Sequence, residues 1–146
     1  MSVEVTFHPE TFKEFFLPLD VKHPGLSKTL EHEFTRYMHS NRLAIPSIFG
    51  RDAPYIQPPE ALSACLMHIH IKIPPARFRA GIPQHDRCCA RGRPGEDAAL
   101  VYAPGEMEEN HFLILAFLWP DAHGMARDRA TMKYLARAAK TWRDYN

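Results

Sequence analysis

The stretch MHIHIKI, from Met67 to Ile73, alternates two imidazoles and an ammonium with three isoleucines. Successive side chains of a strand point to opposite faces, so His68, His70 and Lys72 share one side and Ile69, Ile71 and Ile73 the other. Neighbouring groups on the polar side then stand roughly 6.5–7 Å apart. Imidazole exchanges protons near neutral pH, so such a row can hold a polyanion and move protons on it. It can equally be the solvated face of an ordinary strand. Three further stretches carry chemistry. FGRD at 49–52 sets Arg51 beside Asp52, either as a salt-bridged loop anchor or as an arginine aimed at phosphate. DAHGMARD at 121–128 supplies His123, Arg127 and Asp128. Arg127 falls toward the buried side of a helical wheel, where an unpaired arginine is costly; it must pair with Asp121 or Asp128, or point into a cleft. Residues 76–97 hold Arg77, Arg79, Arg87, Arg91 and Arg93, suited to bidentate phosphate contacts or to a flexible solubilising loop.

These groups need elements to position them. Val3 to Phe7 reads as a short strand. A helix follows from Pro9 through Leu17, with Phe12, Phe15 and Phe16 at helical spacing and Pro18 as its stop. Ser27 is a candidate N-cap for a second helix to about His39, striped by Leu30, Phe34, Tyr37 and Met38. Residues 40–64 lack periodicity, hold four prolines and read as a long connection. The HIH strand follows, ended by Pro74 and Pro75. Ala98–Ala103 is a short apolar strand, and His111–Trp119 reads as a central strand buried on both faces. A last helix spans about Asp128 to Arg143. Thr131, Leu135, Ala138, Ala139 and Trp142 share its inner arc; Arg129, Lys133, Arg137, Lys140 and Arg143 share the outer one. That outer row is either a rail for a phosphate backbone or an ordinary exposed face.

The 146 residues suffice for one domain with one core. No apolar run approaches the roughly 18–20 residues that span a bilayer, and MSVEVTFHPE has no signal-peptide pattern. Cys65, Cys88 and Cys89 are odd in number and two are adjacent, which argues for reduced thiols in a cytoplasm. Zinc would need a third ligand beside His68 and His70, and the sequence supplies none specifically; no metal or cofactor is expected. The net charge of +1 conceals segregation. Residues 68–94 carry six Lys/Arg against one Asp/Glu, residues 95–125 none against six, and residues 126–146 six against two. Two basic segments merging in the fold would form the electrostatic footprint of a nucleic-acid binder.

IFGRD at 48–52, HIHI at 68–71, LVY at 100–102, WPDAH at 119–123 and MARD at 125–128 occur in this order. Together they resemble the YafO family of type II toxin–antitoxin toxins, over roughly residues 45–146. The resemblance implies a RelE/ParE-like α+β fold: a small twisted, mainly antiparallel sheet with two N-terminal helices and a C-terminal helix. Residues 1–146 would form a single toxin domain, 1–44 its N-terminal strand and helix pair. The resemblance further implies a cytoplasmic mRNA interferase acting on message at the ribosome, in its 30S A-site region, and neutralised by a cognate antitoxin. A non-cleaving RNA- or ribosome-binding inhibitor and a ParE-like toxin of a DNA-topology enzyme are the competing classes.

A metal-independent ribonuclease needs a base for the 2′-hydroxyl, an acid for the leaving 5′-oxygen, and cations for the charged phosphorane. On this reading His70 and His123 transfer protons, with their order undecided. Arg127, helped by Arg51 or Arg87, stabilises the transition state. His68 positions RNA, Asp52 and Asp128 orient these groups, and Arg129, Lys133 and Arg137 bind the RNA backbone.

Overall fold

The computed structural model describes residues 2–90, 93 and 96–146; Arg91, one of the loop arginines above, lies outside them. Among the described residues five strands form a mixed sheet in the order β1-β5-β4-β3-β2: β1 (Glu4–Phe7), β2 (Phe49–Pro54), β3 (Met67–Ile71), β4 (Ala99–Pro104) and β5 (His111–Leu118). The β1–β5 pair is parallel and the other three are antiparallel. This is the expected α+β, mainly antiparallel class. The apolar run of β5 lies between β1 and β4, and Phe112 to Leu118 are buried, as a strand covered on both faces requires.

Helices cover both faces. On one side lie α1 (Pro9–Phe15), α2 (Leu17–Lys22) and α3 (Leu26–His39), whose Phe16, Leu30 and Phe34 pack with Ile69, Ile71 and Ile114. On the other lie α4 (Pro59–Ser63), α5 (Ala122–Ala126) and α6 (Arg129–Arg143), whose Met132, Leu135 and Ala139 pack with Val101, Leu113 and Leu115. Each fully buried Phe, Leu, Ile, Val or Met among them contributes about 1.5–3 kcal/mol, which is what holds two short helical layers to one sheet. Among the described residues no helix is long and apolar enough to cross a membrane.

Several details depart from the expectations above. FGRD is strand β2 rather than part of a long connection, and residues 59–63 are helical. A register shift between Phe49 and Asp52 breaks the alternation that would have revealed β2. Gly50 stands inside that shift because a Cβ there would overlap the Arg87 carbonyl and the Phe78 ring. Pro18 does not end the first helical stretch; it sits in the first turn of α2, where its missing N–H costs nothing. Gly25, in the left-handed region at φ +78°, is the N-cap of α3. Ser27 instead donates its hydroxyl to Asp20 at 2.5 Å. The inner face of α6 is Met132, Leu135, Ala136 and Ala139, with Thr131 only half-buried. Arg143 leaves the outer row, because its Nε donates to the Pro104 carbonyl at 2.9 Å.

Candidate active site

The register His68↔Val101 and His70↔Ala99 places both imidazoles on the α4–α6 face. That face is helix-covered over β4 and β5, so the two histidines do not form a bare solvated row. Tyr55, just beyond β2, lies flat on His68, with ring centroids 3.9 Å apart and planes 9° from parallel. His70 is only 7% exposed. Its Nδ1 accepts the Cys89 backbone N–H at 2.9 Å. Its ring stands 5.8 Å from His68 and 5.6 Å from His123.

His123 comes from α5, a helix that no periodicity in the sequence announces. Asp121 caps it by accepting the Gly124 N–H at 3.1 Å. Gly124 must be glycine because a Cβ would overlap the Asp121 carboxylate. The start of α5 is latched to Asp97. The Asp97 carbonyl accepts from Ala122 N at 3.1 Å. One carboxylate oxygen accepts the His123 backbone N–H at 2.8 Å, and the other meets His123 Nδ1 at 2.8 Å. Asp97 is 2% exposed, and its charge is matched by an imidazole and a peptide dipole.

Tyr55, His68, His70, Asp97, Ala122 and His123 surround a cavity of about 30 Å³, room for a water-sized group between the rings. Burial pushes the His70 pKa down to about 4; its neighbours His123 and Arg51 lower it further and Asp97 opposes them. Burial likewise pushes His68 down to about 4, with His70, His123 and Arg51 acting in the same direction. Both rings are therefore neutral at pH 7. His68 Nδ1 is buried and has no hydrogen-bond partner among the described residues. Burial also raises the Tyr55 phenol, with the Asp97 charge adding to it.

The sequence-predicted residues divide sharply. His68, His70 and His123 come together, and exposed Arg51 lies near enough for its charge to act on the first two. Arg127 is exposed at the end of α5, not buried as its wheel position required. The single turn of α5 and the break before α6 rotate it out of the wheel drawn for one long helix. Asp52 lies opposite Ile69 on the other face of the sheet, away from the histidines. Asp128 caps α6, accepting from Ala130 N at 3.2 Å and the Thr131 hydroxyl at 2.7 Å. Arg87 is 9% exposed and donates to the Ile82 and Phe49 carbonyls at 2.9 and 3.3 Å. Arg129, Lys133 and Arg137 are exposed along α6, with Lys133 paired to Glu60 at 3.4 Å. Asp97, Tyr55 and the Cys89 N–H escaped the sequence reading. A carboxylate directly before the apolar run AALVYA was the available signal for Asp97, since a strand end is where a buried side chain meets an open cleft. Among the described residues, no three His, Cys, Asp or Glu side chains converge in a metal-binding geometry.

Three imidazoles gathered around one buried carboxylate, with exposed Arg51 close by, mark the candidate site of a small α+β protein. The chain belongs to the YafO toxin family of type II toxin–antitoxin systems: the family described as "Toxin YafO, type II toxin-antitoxin system" matches residues 35–144. A curated relative, the mRNA interferase toxin YafO of Escherichia coli (strain K12), is 31% identical over 102 residues, covering 68% of this chain and 73% of the relative. No solved structure matches. As a type II toxin it has a cognate antitoxin.

Proposed function

We propose that this toxin is a metal-independent endoribonuclease that cuts mRNA engaged on the ribosome, in the bacterial cytoplasm, until its antitoxin binds. The observation that carries this reading is the His70–His123 pair, 5.6 Å apart at the mouth of one cavity, with His123 held by buried Asp97. RNA supplies its own nucleophile, the 2′-hydroxyl. The protein therefore needs only a proton acceptor, donors to the phosphate and a cationic rim. His123 and His70 provide the first two, and the rim draws on exposed Arg51, whose charge acts on both His68 and His70, with exposed Arg127 one residue beyond the cavity-lining Ala126. Tyr55 and His68 form a flat stack that fixes the floor of the cleft. Exposed Arg129, Lys133 and Arg137 follow on the same side of the sheet and extend the basic track. The name of the Escherichia coli relative supports message as the substrate.

The test is to map transcript 5′ ends after brief induction, and again with purified toxin in the presence and absence of ribosomes. New ends within translated codons that require ribosomes are the expected result. Arrested translation with intact message would reject nuclease action in favour of simple RNA or ribosome binding.

A further inference from the structure

We propose that backbone and carboxylate contacts assign the two histidines opposite and fixed jobs: Asp97 makes His123 the general base, and the Cys89 N–H makes His70 a neutral hydrogen-bond donor. The proposal rests on the nuclease reading above and gives its site an order of events.

The placement of protons on the ring nitrogens decides the matter. A neutral imidazole carries one N–H and one lone pair, and a neighbour that only donates or only accepts decides which nitrogen holds which. A backbone N–H only donates. Cys89 N lies 2.9 Å from His70 Nδ1, so that nitrogen is the acceptor and the His70 proton sits on Nε2. A carboxylate only accepts. Asp97 Oδ1 lies 2.8 Å from His123 Nδ1, so that nitrogen carries the proton and the His123 lone pair sits on Nε2. The other Asp97 oxygen is occupied by the His123 backbone N–H at 2.8 Å, which fixes the carboxylate plane. His123 Nε2 has no hydrogen-bond partner among the described residues, and its side chain is 24% exposed.

The chemistry follows. His123 Nε2 takes the 2′-hydroxyl proton as the 2′-oxygen bonds to phosphorus, and Asp97 stabilises the resulting imidazolium. His70 Nε2–H donates to a non-bridging phosphate oxygen as charge builds there. His70 cannot also be the acid, because giving up its only proton would leave an imidazolate. The bond from phosphorus to the 5′-oxygen breaks, and water protonates that oxygen. The hydroxide left over takes the proton from His123. The products are a 2′,3′-cyclic phosphate and a 5′-hydroxyl, and the enzyme returns to its starting state. Asp97 never touches substrate; it is a positioning residue.

Imidazole nitrogen–proton correlation NMR on the intact, isotope-labelled toxin tests the assignment without RNA. At neutral pH, the expected pattern is an Nε2–H tautomer for His70 and an Nδ1–H tautomer for His123. Asp97→Asn should reverse the second. The backbone N–H claims the single amide oxygen, which turns the NH₂ toward Nδ1 and drives the His123 proton to Nε2. Its cleavage rate should fall about 10³–10⁴-fold, as the same exchange does in a hydrolase triad. His70→Gln, which keeps a neutral N–H, should lose about 10–100-fold, and the profile of kcat/KM against pH should show one acidic limb. The reverse tautomer for either ring in the native protein, or equal losses for His70→Gln and His123→Gln with a bell-shaped profile, would overturn the proposal. The stated tautomers in a protein that cuts no RNA with or without ribosomes would reject the nuclease reading while leaving Asp97 and Cys89 in the roles given.

Discussion

The two faces of the sheet each bury an aspartate, and they use it differently. On the α1–α3 face Asp52 accepts from the hydroxyls of Tyr37 at 2.8 Å and Tyr102 at 2.7 Å, and from Arg42 Nε at 3.3 Å. Arg42 also reaches the Tyr102 hydroxyl at 3.2 Å, and Gln84 donates to the Tyr37 hydroxyl at 2.8 Å. Burial, with the Asp52 charge beside them, raises both phenols well above their ordinary range, so they remain donors. The cluster ties α3, β2, β4 and the loop before Arg87 to one carboxylate. It also holds Arg42 at φ +64°, a conformation costly for a residue other than glycine. On the α4–α6 face Asp97 commits both oxygens to His123 alone, and the imidazole keeps its far nitrogen for the cleft. A network whose groups are consumed by one another is scaffolding; one that ends in an unused lone pair can meet a substrate.

The sharpest way to break this contrast is to exchange the two phenotypes. His123→Gln should reduce mRNA cleavage by about 10³–10⁴-fold, the upper range for a lost general base. Its denaturation midpoint should move little, since the glutamine NH₂ replaces the imidazole N–H as donor to buried Asp97. A variant that cleaves at the native rate would end the comparison. Asp52→Ala should do the reverse. It leaves the Tyr37 and Tyr102 hydroxyls without their shared acceptor, a loss of roughly 1–3 kcal/mol for each buried donor, while Arg42, 40% exposed, turns to solvent. Urea unfolding should show that loss, while cleavage per folded molecule stays within about tenfold. A stable Asp52→Ala protein with no activity would place Asp52 in the chemistry.

Acid should weaken the histidine face first. His68 and His70 have folded pKa values near 4 against an ordinary 6.5. The unfolded chain therefore binds more protons between those values, and stability falls as pH drops from about 6.5 to 4. The contribution is fully present above 6.5. A tenfold difference in proton affinity between the folded and unfolded chain is worth about 1.4 kcal/mol. The two adjacent rings share part of the effect, so a loss of roughly 2–4 kcal/mol is expected for the pair. His68→Phe, which preserves the stack on Tyr55, should flatten the unfolding free energy over this range. An unchanged acid slope would mean that the rings are already solvated.

What the sequence disclosed follows from these same contacts. Alternation revealed β3, and the run HFLILAFLW revealed the doubly buried β5, because burial leaves a period. His68, His70 and His123 were visible as residue types, and the family motifs carried them toward one site. β2 was invisible because its bulge at Gly50 destroys the period, and α5 because one turn has none. Arg51 and Asp52 are adjacent in FGRD, yet neighbours on a strand point to opposite faces, so Asp52 is separated from the histidines by the thickness of the sheet. Asp97 and the Cys89 N–H were hidden for a different reason. One is a lone carboxylate in an irregular stretch and the other a main-chain group, and both act only through pairings distant in the chain.

The smallest effect concerns α6, where the two kinds of network can be compared on one helix. Arg129 and Arg137 are exposed with no ion pair among the described residues, whereas Lys133 is paired to Glu60 at 3.4 Å, both about half exposed. A free cation on the RNA track displaces counterions, and each such contact adds about 0.7 to the salt dependence for single strands. Arg129→Ala combined with Arg137→Ala should flatten the plot of log affinity against log salt by about 1.4 and weaken RNA binding severalfold near physiological salt. Lys133→Ala should do less, because Glu60 already neutralises it in part. Glu60→Gln should then strengthen binding slightly, by releasing Lys133 to the backbone while removing a like charge from the RNA. The pair is exposed and screened by solvent, so the gain stays within about fivefold. Binding titrations of an uncleavable 2′-deoxy-substituted strand across a salt series would measure it. If Glu60→Gln weakens binding, the pair is part of the scaffold joining α4 to α6, and the basic track ends at Arg129.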